Sequence, residues 1–270
     1  MTYFLITAHP LLYSNERFCE SAKKMGLHLT TQHPNSANLP SPSAALLRLG
    51  ISFMNQGIRL AQHFESSDIP VINSSSSTAL AKNKWDTYLT LKKNNVPHIK
   101  TQLISQQKNK KIPDTTFSFP LILKTLYGSK GVGVHLCHSN NDMIELISQY
   151  GAHGYKVLLQ PYIQAKRELR IFIVGQEACV TVEKKSAATD FRANWHQGGN
   201  MTEIKNIDSH IYDLAKTTMS LLGLSYAAID LIENDEGVFV LEANDSPGLK
   251  GIETITGRDL ATPILQLLQT

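Results

Sequence analysis

Cysteine is scarce. The three in 270 residues, Cys19, Cys137 and Cys179, are too few and too scattered for a disulfide framework or a CxxC metal site, so a reducing compartment, the cytoplasm, is expected. Charge is also thin: Asp, Glu, Lys and Arg make up 18% of the chain, and 26 basic against 23 acidic side chains leave +3. The one basic cluster, Lys108, Lys110 and Lys111, lies in polar sequence and reads as a solvated loop, so no dedicated nucleic-acid binder is expected. Long hydrophobic runs are missing. No apolar stretch approaches the roughly 18 residues that span a bilayer, and the opening MTYFLITAHP is apolar only briefly before His9 and Pro10. Neither export nor a membrane anchor is expected. What the chain does have is 42% hydrophobic residues, enough to exclude disorder, and a length that at about 150 residues per domain suggests two domains or one with a large insertion.

The run YFLITA reads as a buried strand, followed by a helix from Glu16 to Met25 that stops at Gly26. Residues 31–43 (TQHPNSANLPSPS) are loop-like. A helical period is expected over SPSAALLRLGISFMNQGIRLAQHFES, and IPVIN closes the unit as a short strand. A helical segment, STALAKNKWDTYLTLKKNNV, and an extended one, VPHIKTQLI, come next. From residue 119 the pattern changes to short strands separated by glycine turns (FPLILK, VGVHLC, KVLLQPYI, LRIFIVGQEACVTVEKK), with helices at Asp142–Tyr150, Ile211–Leu222 and Asp259–Leu268. The expected organisation is a small α/β unit followed by a larger α+β unit, with no fixed-period repeat.

Two motifs carry chemistry. YAAIDLIENDEGVFVLEANDSPG reads as a β-hairpin, and a turn centred on Glu236 places Asp230 opposite Glu242 with Asn244 on the same face. Adjacent carboxylates on an apolar ribbon repel unless a cation lies between them, and oxygen-only ligands suit Mg²⁺ or Mn²⁺ beside nucleotide phosphates. A solvated polar face is the competing explanation. The second motif is Tyr127-Gly128-Ser129-Lys130-Gly131-Val132-Gly133 after the strand lysine Lys124. Three glycines in six residues let backbone amides approach an anion. The loop has neither the Walker A spacing nor the Rossmann fingerprint; a glycine flap between antiparallel strands with a lysine behind it is arranged like the nucleotide clamp of kinases. An ordinary β-turn is the alternative. His135 and Cys137 share a strand face but have no third ligand for zinc, and no nucleophile elbow is present.

In order along the chain stand Lys84, Lys124 with its glycine loop, QPYI, DFRANWHQGG, and the Asp230, Glu242, Asn244 hairpin ending in SPGLKGIETITG. This series resembles the RimK-like branch of the ATP-grasp carboxylate–amine ligases, from about Ile72 to the C-terminus and more faintly through LLRLGISFMNQGIRLAQHFE. The resemblance implies an ATP-grasp fold: an N-terminal α/β domain (1–77), a central α+β lobe with the glycine loop (78–159) and a C-terminal α+β lobe with the metal site (160–270), the two lobes clamping ATP. It also implies that Lys84 and Lys124 contact ATP phosphates under a flap containing Gly128, Ser129, Gly131 and Gly133. Gln160, Pro161, Tyr162 and Ile163 would line the adenine, mostly through backbone, with Glu168 on the ribose. Arg192, Ala193 and Asn194 would contact ATP, with Arg192 and Lys124 in catalytic roles. Asp230, Glu242 and Asn244 would hold two Mg²⁺ ions, Mn²⁺ being the alternative.

The implied reaction is amide formation through an acylphosphate, between a carboxylate-bearing peptide or small molecule and an amino acid such as glutamate. Lys184-Lys185 stands where an arginine pair is usual in the family, and Trp195, Gln197, Ala243 and Asp245 also depart from its pattern, so the acceptor stays open, as does a homo-oligomer. A catalytically silent nucleotide-binding module and a phosphotransferase that stops at the phosphorylated product are the other readings of the same residues.

Overall fold

A computed structural model of the chain describes residues 1–104, 115–128, 131–185 and 200–270. The basic cluster Lys108, Lys110, Lys111, the site candidates Ser129, Arg192, Ala193 and Asn194, the loop residue Lys130 and the departures Trp195 and Gln197 lie outside the described residues. The YFLI run forms β1 (Thr2–Ile6), and α1 (Tyr13–Lys24) ends just before Gly26, whose φ of +69° is the left-handed conformation that closes a helix. β2 (His28–Gln32) overlaps the start of the segment expected to be loop. The helical expectation for residues 41–66 fails in its first half. Ala44–Leu47 is strand β3, entirely buried, and only Met54–Glu65 is helix (α2) before β4 (Val71–Ile72). A parallel strand covered on both faces is a continuous apolar run, which periodicity cannot tell from the side of a helix. These strands form a parallel sheet of order β2-β1-β3-β4. One face (Phe4, Ile6, Ala45, Leu47) packs on α2 residues, and the other (Tyr3, Leu5, Ala44, Leu46) on Phe18 of α1 and on the C-terminal helices.

The helical stretch after the serine run splits into α3 (Ser75–Lys82) and α4 (Lys84–Lys93) at Asn83, whose side-chain oxygen caps α4 by accepting from the amides of Trp85 and Asp86. That break fixes Lys84 as the first residue of α4. The central sheet, order β5-β8-β6-β7, contains β5 (Gln102–Ile104), β6 (Leu121–Thr125), β7 (Val134–Cys137) and β8 (Val157–Pro161), with α5 (Asn140–Ala152) on one face. His135 and Cys137 face that helix: His135 Nε2 lies 2.7 Å from the Tyr150 hydroxyl and Cys137 is buried.

The third sheet, order β11-β10-β9-β12-β13, is antiparallel: β9 (Arg167–Val174), β10 (Glu177–Lys185), β11 (Asn200–Glu203), β12 (Tyr226–Asn234) and β13 (Gly237–Asn244), with α6 (Ser209–Leu221) between β11 and β12. α7 (Lys250–Thr256) and α8 (Ala261–Gln266) follow. Leu169, Ile171, Ile173, Ile229 and Leu231 pack with Ile211, Ala215 and Met219 of α6. The opposite face changes character partway along each strand. Phe172, Val182 and Ala228 are buried against the N-terminal sheet and α7–α8, whereas Glu168, Arg170, Lys184 and Asp230 continue the same rows as charge. No helix among the described residues is long and apolar enough to cross a membrane.

One buried side chain ties the first sheet to the third. Asn73, 1% exposed, donates through Nδ2 to the carbonyls of Tyr226 and Asp245 (both 3.0 Å), and its Oδ1 accepts from the amides of Ser225 (2.7 Å) and Tyr226 (3.2 Å). Asn73→Ala leaves buried backbone groups without partners, at about 1–3 kcal/mol for each one left unmet. A loss of roughly 2–4 kcal/mol is expected in urea unfolding, with an unchanged m-value; a loss below about 0.5 kcal/mol would show that water replaces the amide.

Candidate functional site

The site lies where the bare face of the central sheet meets the edge strand β13. On β6, Leu121 and Leu123 point to α5, so Ile122 and Lys124 point the other way, as does Gln160 of β8 opposite Ile122. Facing them, β13 takes up the chain at its outer edge: the Val240 amide donates to Pro97 O (2.9 Å) and the Ile99 amide to Val240 O (3.2 Å). The cleft between is lined by Lys84, Tyr88, His98, Thr101, Lys124, Gln160 and Val240 to Ala243.

The hairpin reaches its expected pairing by an unexpected route. The turn consists of Asp235 and Glu236, so near it Asn234 faces Gly237 and Leu231 faces Val240, one residue out of the register that a turn centred on Glu236 requires. A bulge at Leu241 adds one residue to β13, and beyond it Asp230 faces Glu242 and Ala228 faces Asn244. Without that bulge Asp230 would sit opposite Leu241, and Glu242 and Asn244 would be turned to the other face.

Asp230, 3% exposed, is held by two cations. Arg170 Nε and Nη2 donate to its two oxygens at 2.7 and 2.8 Å, and Lys184 Nζ lies 3.2 Å from Oδ2. Burial works against the charged carboxylate, but Arg170 and Lys184 outweigh it and hold Asp230 down at about 2. Lys184 also lies 3.7 Å from Glu168, whose carboxyl burial pushes up while Lys184 opposes. Arg170 was the residue that sequence reasoning missed. Its trace in the sequence is charge at Glu168 and Arg170 on one face of an apolar strand; that these meet Lys184 and Asp230 follows from the order of the strands in the sheet.

Lys84 Nζ donates to Gly128 O (2.9 Å) and lies 3.8 Å from Glu242 Oε1. Lys124 is 8% exposed; burial pulls its ammonium down to about 8, with Glu242 opposing and Lys84 adding to the fall. The folded-state value lies below the ordinary one. The cost of keeping this lysine charged is therefore fully present below pH 8 and fades as the pH rises from 8 towards 10.5, where the unfolded chain also loses the proton. Lys124→Met is accordingly expected to stabilise the ligand-free protein at pH 7 by up to about 3 kcal/mol. The gain should shrink by pH 10 in parallel urea titrations; an equal or larger gain at pH 10 would contradict the buried charge.

The glycine loop has the backbone that glycine permits. Gly131 and Gly133 have φ of +73° and +75°, and a Cβ on Gly133 would lie 2.6 Å from Thr125 Oγ1. Gln160 Nε2 donates to Thr101 Oγ1 (2.7 Å), and the Tyr162 amide is used by Pro120 O (3.2 Å), so that amide of the expected adenine segment already has a partner. Pro161 ends β8 opposite Leu121, and Ile163 is partly buried.

The donor set suits a hard divalent cation in its chemistry. Among the described residues no three His, Cys, Asp or Glu side chains form a metal cluster. The set is instead two carboxylates and an amide, all oxygen donors on one face of a hairpin. A carboxylate has about four lone-pair sites, so Asp230 keeps capacity beyond its bonds to Arg170 and Lys184. Asn244 Nδ2 is buried without a partner, so that amide nitrogen is not anchored by the protein.

The family model of the RimK-like ATP-grasp domain matches residues 81–268. A probable alpha-L-glutamate ligase of Haemophilus influenzae is 29% identical over 291 residues, covering 98% of this chain and 97% of that protein. Among solved structures, the RimK domain ATP-grasp protein of Sphaerobacter thermophilus superimposes with a TM-score of 0.73 at 19% identity, covering 99% of this chain and 100% of the other. The D-alanine–D-alanine ligase of Bacillus anthracis does so with a TM-score of 0.73 at 16% identity, covering 100% and 96%. With three sheets, a cleft lined by Lys84 and Lys124 and a match over residues 81–268, this chain has the ATP-grasp fold and belongs to the RimK-like ATP-grasp ligase family, whose members bind ATP with divalent metal ions.

Proposed function

We propose that the protein is an ADP-forming ligase that joins a carboxylate to an amino acid, and the names of its relatives favour glutamate as that amino acid. The observation that carries this reading is the convergence of Lys84, Lys124 and Glu242 in one cleft, with Asp230 paired to Glu242 and Asn244 on the same ribbon. Lys84 and Lys124 bind the phosphates, Lys124 trading its burial cost for an anionic partner. Gly128, Gly131 and Gly133 let the loop backbone approach the nucleotide, and Gln160 to Ile163 and Glu168 take the adenosine end. Arg192, Ala193 and Asn194 contribute from the segment that follows β10. Asp230, Glu242 and Asn244 hold Mg²⁺, which when bound offsets charge on the transferring phosphoryl group.

In the reaction, a carboxylate oxygen of the acceptor attacks the γ-phosphorus and ADP leaves. The amino-acid nitrogen then attacks the acyl carbon, phosphate leaves, and the nitrogen gives up a proton. The residues contribute positioning and charge: Lys84, Lys124 and Arg192 offset the negative charge of the phosphoryl oxygens, and the cleft holds acceptor and nucleotide in line. Incubation with Mg-ATP, candidate acceptors and single amino acids, following ADP and phosphate, tests this. ADP release that requires an added amine supports ligation, whereas ADP release without one indicates a phosphotransferase. Nucleotide binding with no turnover under any combination would favour a binding module.

A further inference from the structure

A buried ion pair stands beside the cleft without lining it. Lys82, the last residue of α3, donates from Nζ to Asp245 Oδ1 (3.0 Å) and to Leu49 O (2.8 Å), and both charged side chains are 8% exposed. Asp245 is the first residue past β13. Its other carboxylate oxygen accepts from Ser246 Oγ (3.1 Å) and its carbonyl from Asn73 Nδ2 (3.0 Å), so side chain and backbone are both fixed. Lys82 and Asp245 lie 163 positions apart in the chain, and with Leu49 they join the end of β3, the end of α3 and the end of the hairpin. Each member of the pair neighbours a residue of the candidate site. Lys84 comes two residues after Lys82, across the Asn83 cap, and Asn244 directly precedes Asp245. Asn244 has little else to hold it: its Nδ2 is buried without a partner, and its strand is the edge of the sheet.

A buried ion pair is weak evidence for stability, because apolar side chains of similar volume often serve as well. What charge-assisted hydrogen bonds add is a fixed geometry. Resting on the ligase reading above, we propose that Lys82 and Asp245 are positioning residues: their ion pair is a strut that sets the separation between the phosphate-binding Lys84 and the metal ligand Asn244, so that one nucleotide tail meets both. The pair acts through the backbone of its neighbours. Loosening it leaves each half of the site intact and uncouples the two.

The test is the factor by which Mn²⁺ tightens a non-hydrolysable ATP analogue, measured by calorimetry on the full chain with and without the metal. In Asp245→Ala, which releases the hairpin end while Lys82 keeps Leu49 O, that factor should fall about tenfold, the scale on which groups behind a metal ligand act, while the metal-free affinity stays within about twofold. Adding Lys82→Met to Asp245→Ala should lower the factor no further, since the strut is already broken. Asp245→Asn, equal in shape but uncharged, should lose about threefold and decides the matter if the alanine variant does not fold. A factor unchanged in the variant that folds, even with a lowered melting temperature, would show a merely structural pair. A loss equally large without metal, or a further loss on adding Lys82→Met, would also overturn the strut. If Mn²⁺ fails to tighten the analogue in the wild type, the metal assignment falls and the strut with it. Failure of the analogue to bind the wild type at all sinks the ligase reading itself.

Discussion

Glu242→Ala is expected to lower kcat/KM for ADP formation by about a thousandfold or more, the scale seen when a group stabilising transition-state charge is removed. Among the described residues Glu242 is the carboxylate that faces both Asp230 on the ribbon and the cleft lysines, 3.8 Å from Lys84. Its loss removes a candidate metal ligand and leaves Lys84 and Lys124 without their opposing charge. The fold should change little in stability: the side chain is 36% exposed, and the attraction lost to Lys84 and Lys124 is offset in part by the repulsion relieved with Asp230. The melting temperature should therefore move little, which separates this variant from one that unfolds. Titration with Mn²⁺ in the presence of ATP should show weaker binding in step with the lost activity. Near-normal turnover would remove the basis of the metal assignment.

The second large effect is on stability. Arg170→Ala takes away both hydrogen bonds that neutralise Asp230 in a site 3% exposed, and breaking a buried pair from one side costs about 3–5 kcal/mol. The pH dependence gives the cause away. Asp230 is held at about 2 in the folded protein, below its ordinary value, so its pairing contributes stability above about pH 4 that is lost as the pH falls towards 2. In Arg170→Ala that acid-side loss should largely vanish, because the wild-type advantage it reports is already gone. Lys184 remains 3.2 Å away and would retain part of it. Urea unfolding of both proteins at pH 7 and pH 3 measures the difference; an equal penalty at both values would mean that Arg170 acts through packing rather than charge.

Much of this could be read before any coordinates. Short apolar runs between glycine turns marked β6 to β10, β12 and β13, though not the polar edge strand β11, and the one-letter motifs located both the glycine loop and the Asp230, Glu242, Asn244 hairpin. Other features were illegible for specific reasons. β3 looked helical because a strand buried on both faces has no alternation to show. The pairing of Asp230 with Glu242 was expected from a turn that does not exist, and is right because the bulge at Leu241 shifts the register by the one residue needed. Arg170 went unnoticed because its role depends on which strands lie beside it, and sheet order is not a local property of sequence.

The residue types and spacings that chemistry requires are written along the chain: lysines before and within the glycine-loop strand, oxygen donors at 230, 242 and 244, and glycines where the loop turns with positive φ. Local backbone preference and side-chain period are encoded within a few residues, so they survive in one dimension. Packing of the three sheets settled which charges meet. It set Arg170 and Lys184 against Asp230, paired Lys82 with Asp245, and brought the Arg48 guanidinium over Phe18 and onto Pro247 O. Those contacts join positions up to about two hundred residues apart, and their energies depend on burial, which exists only once the sheets have packed.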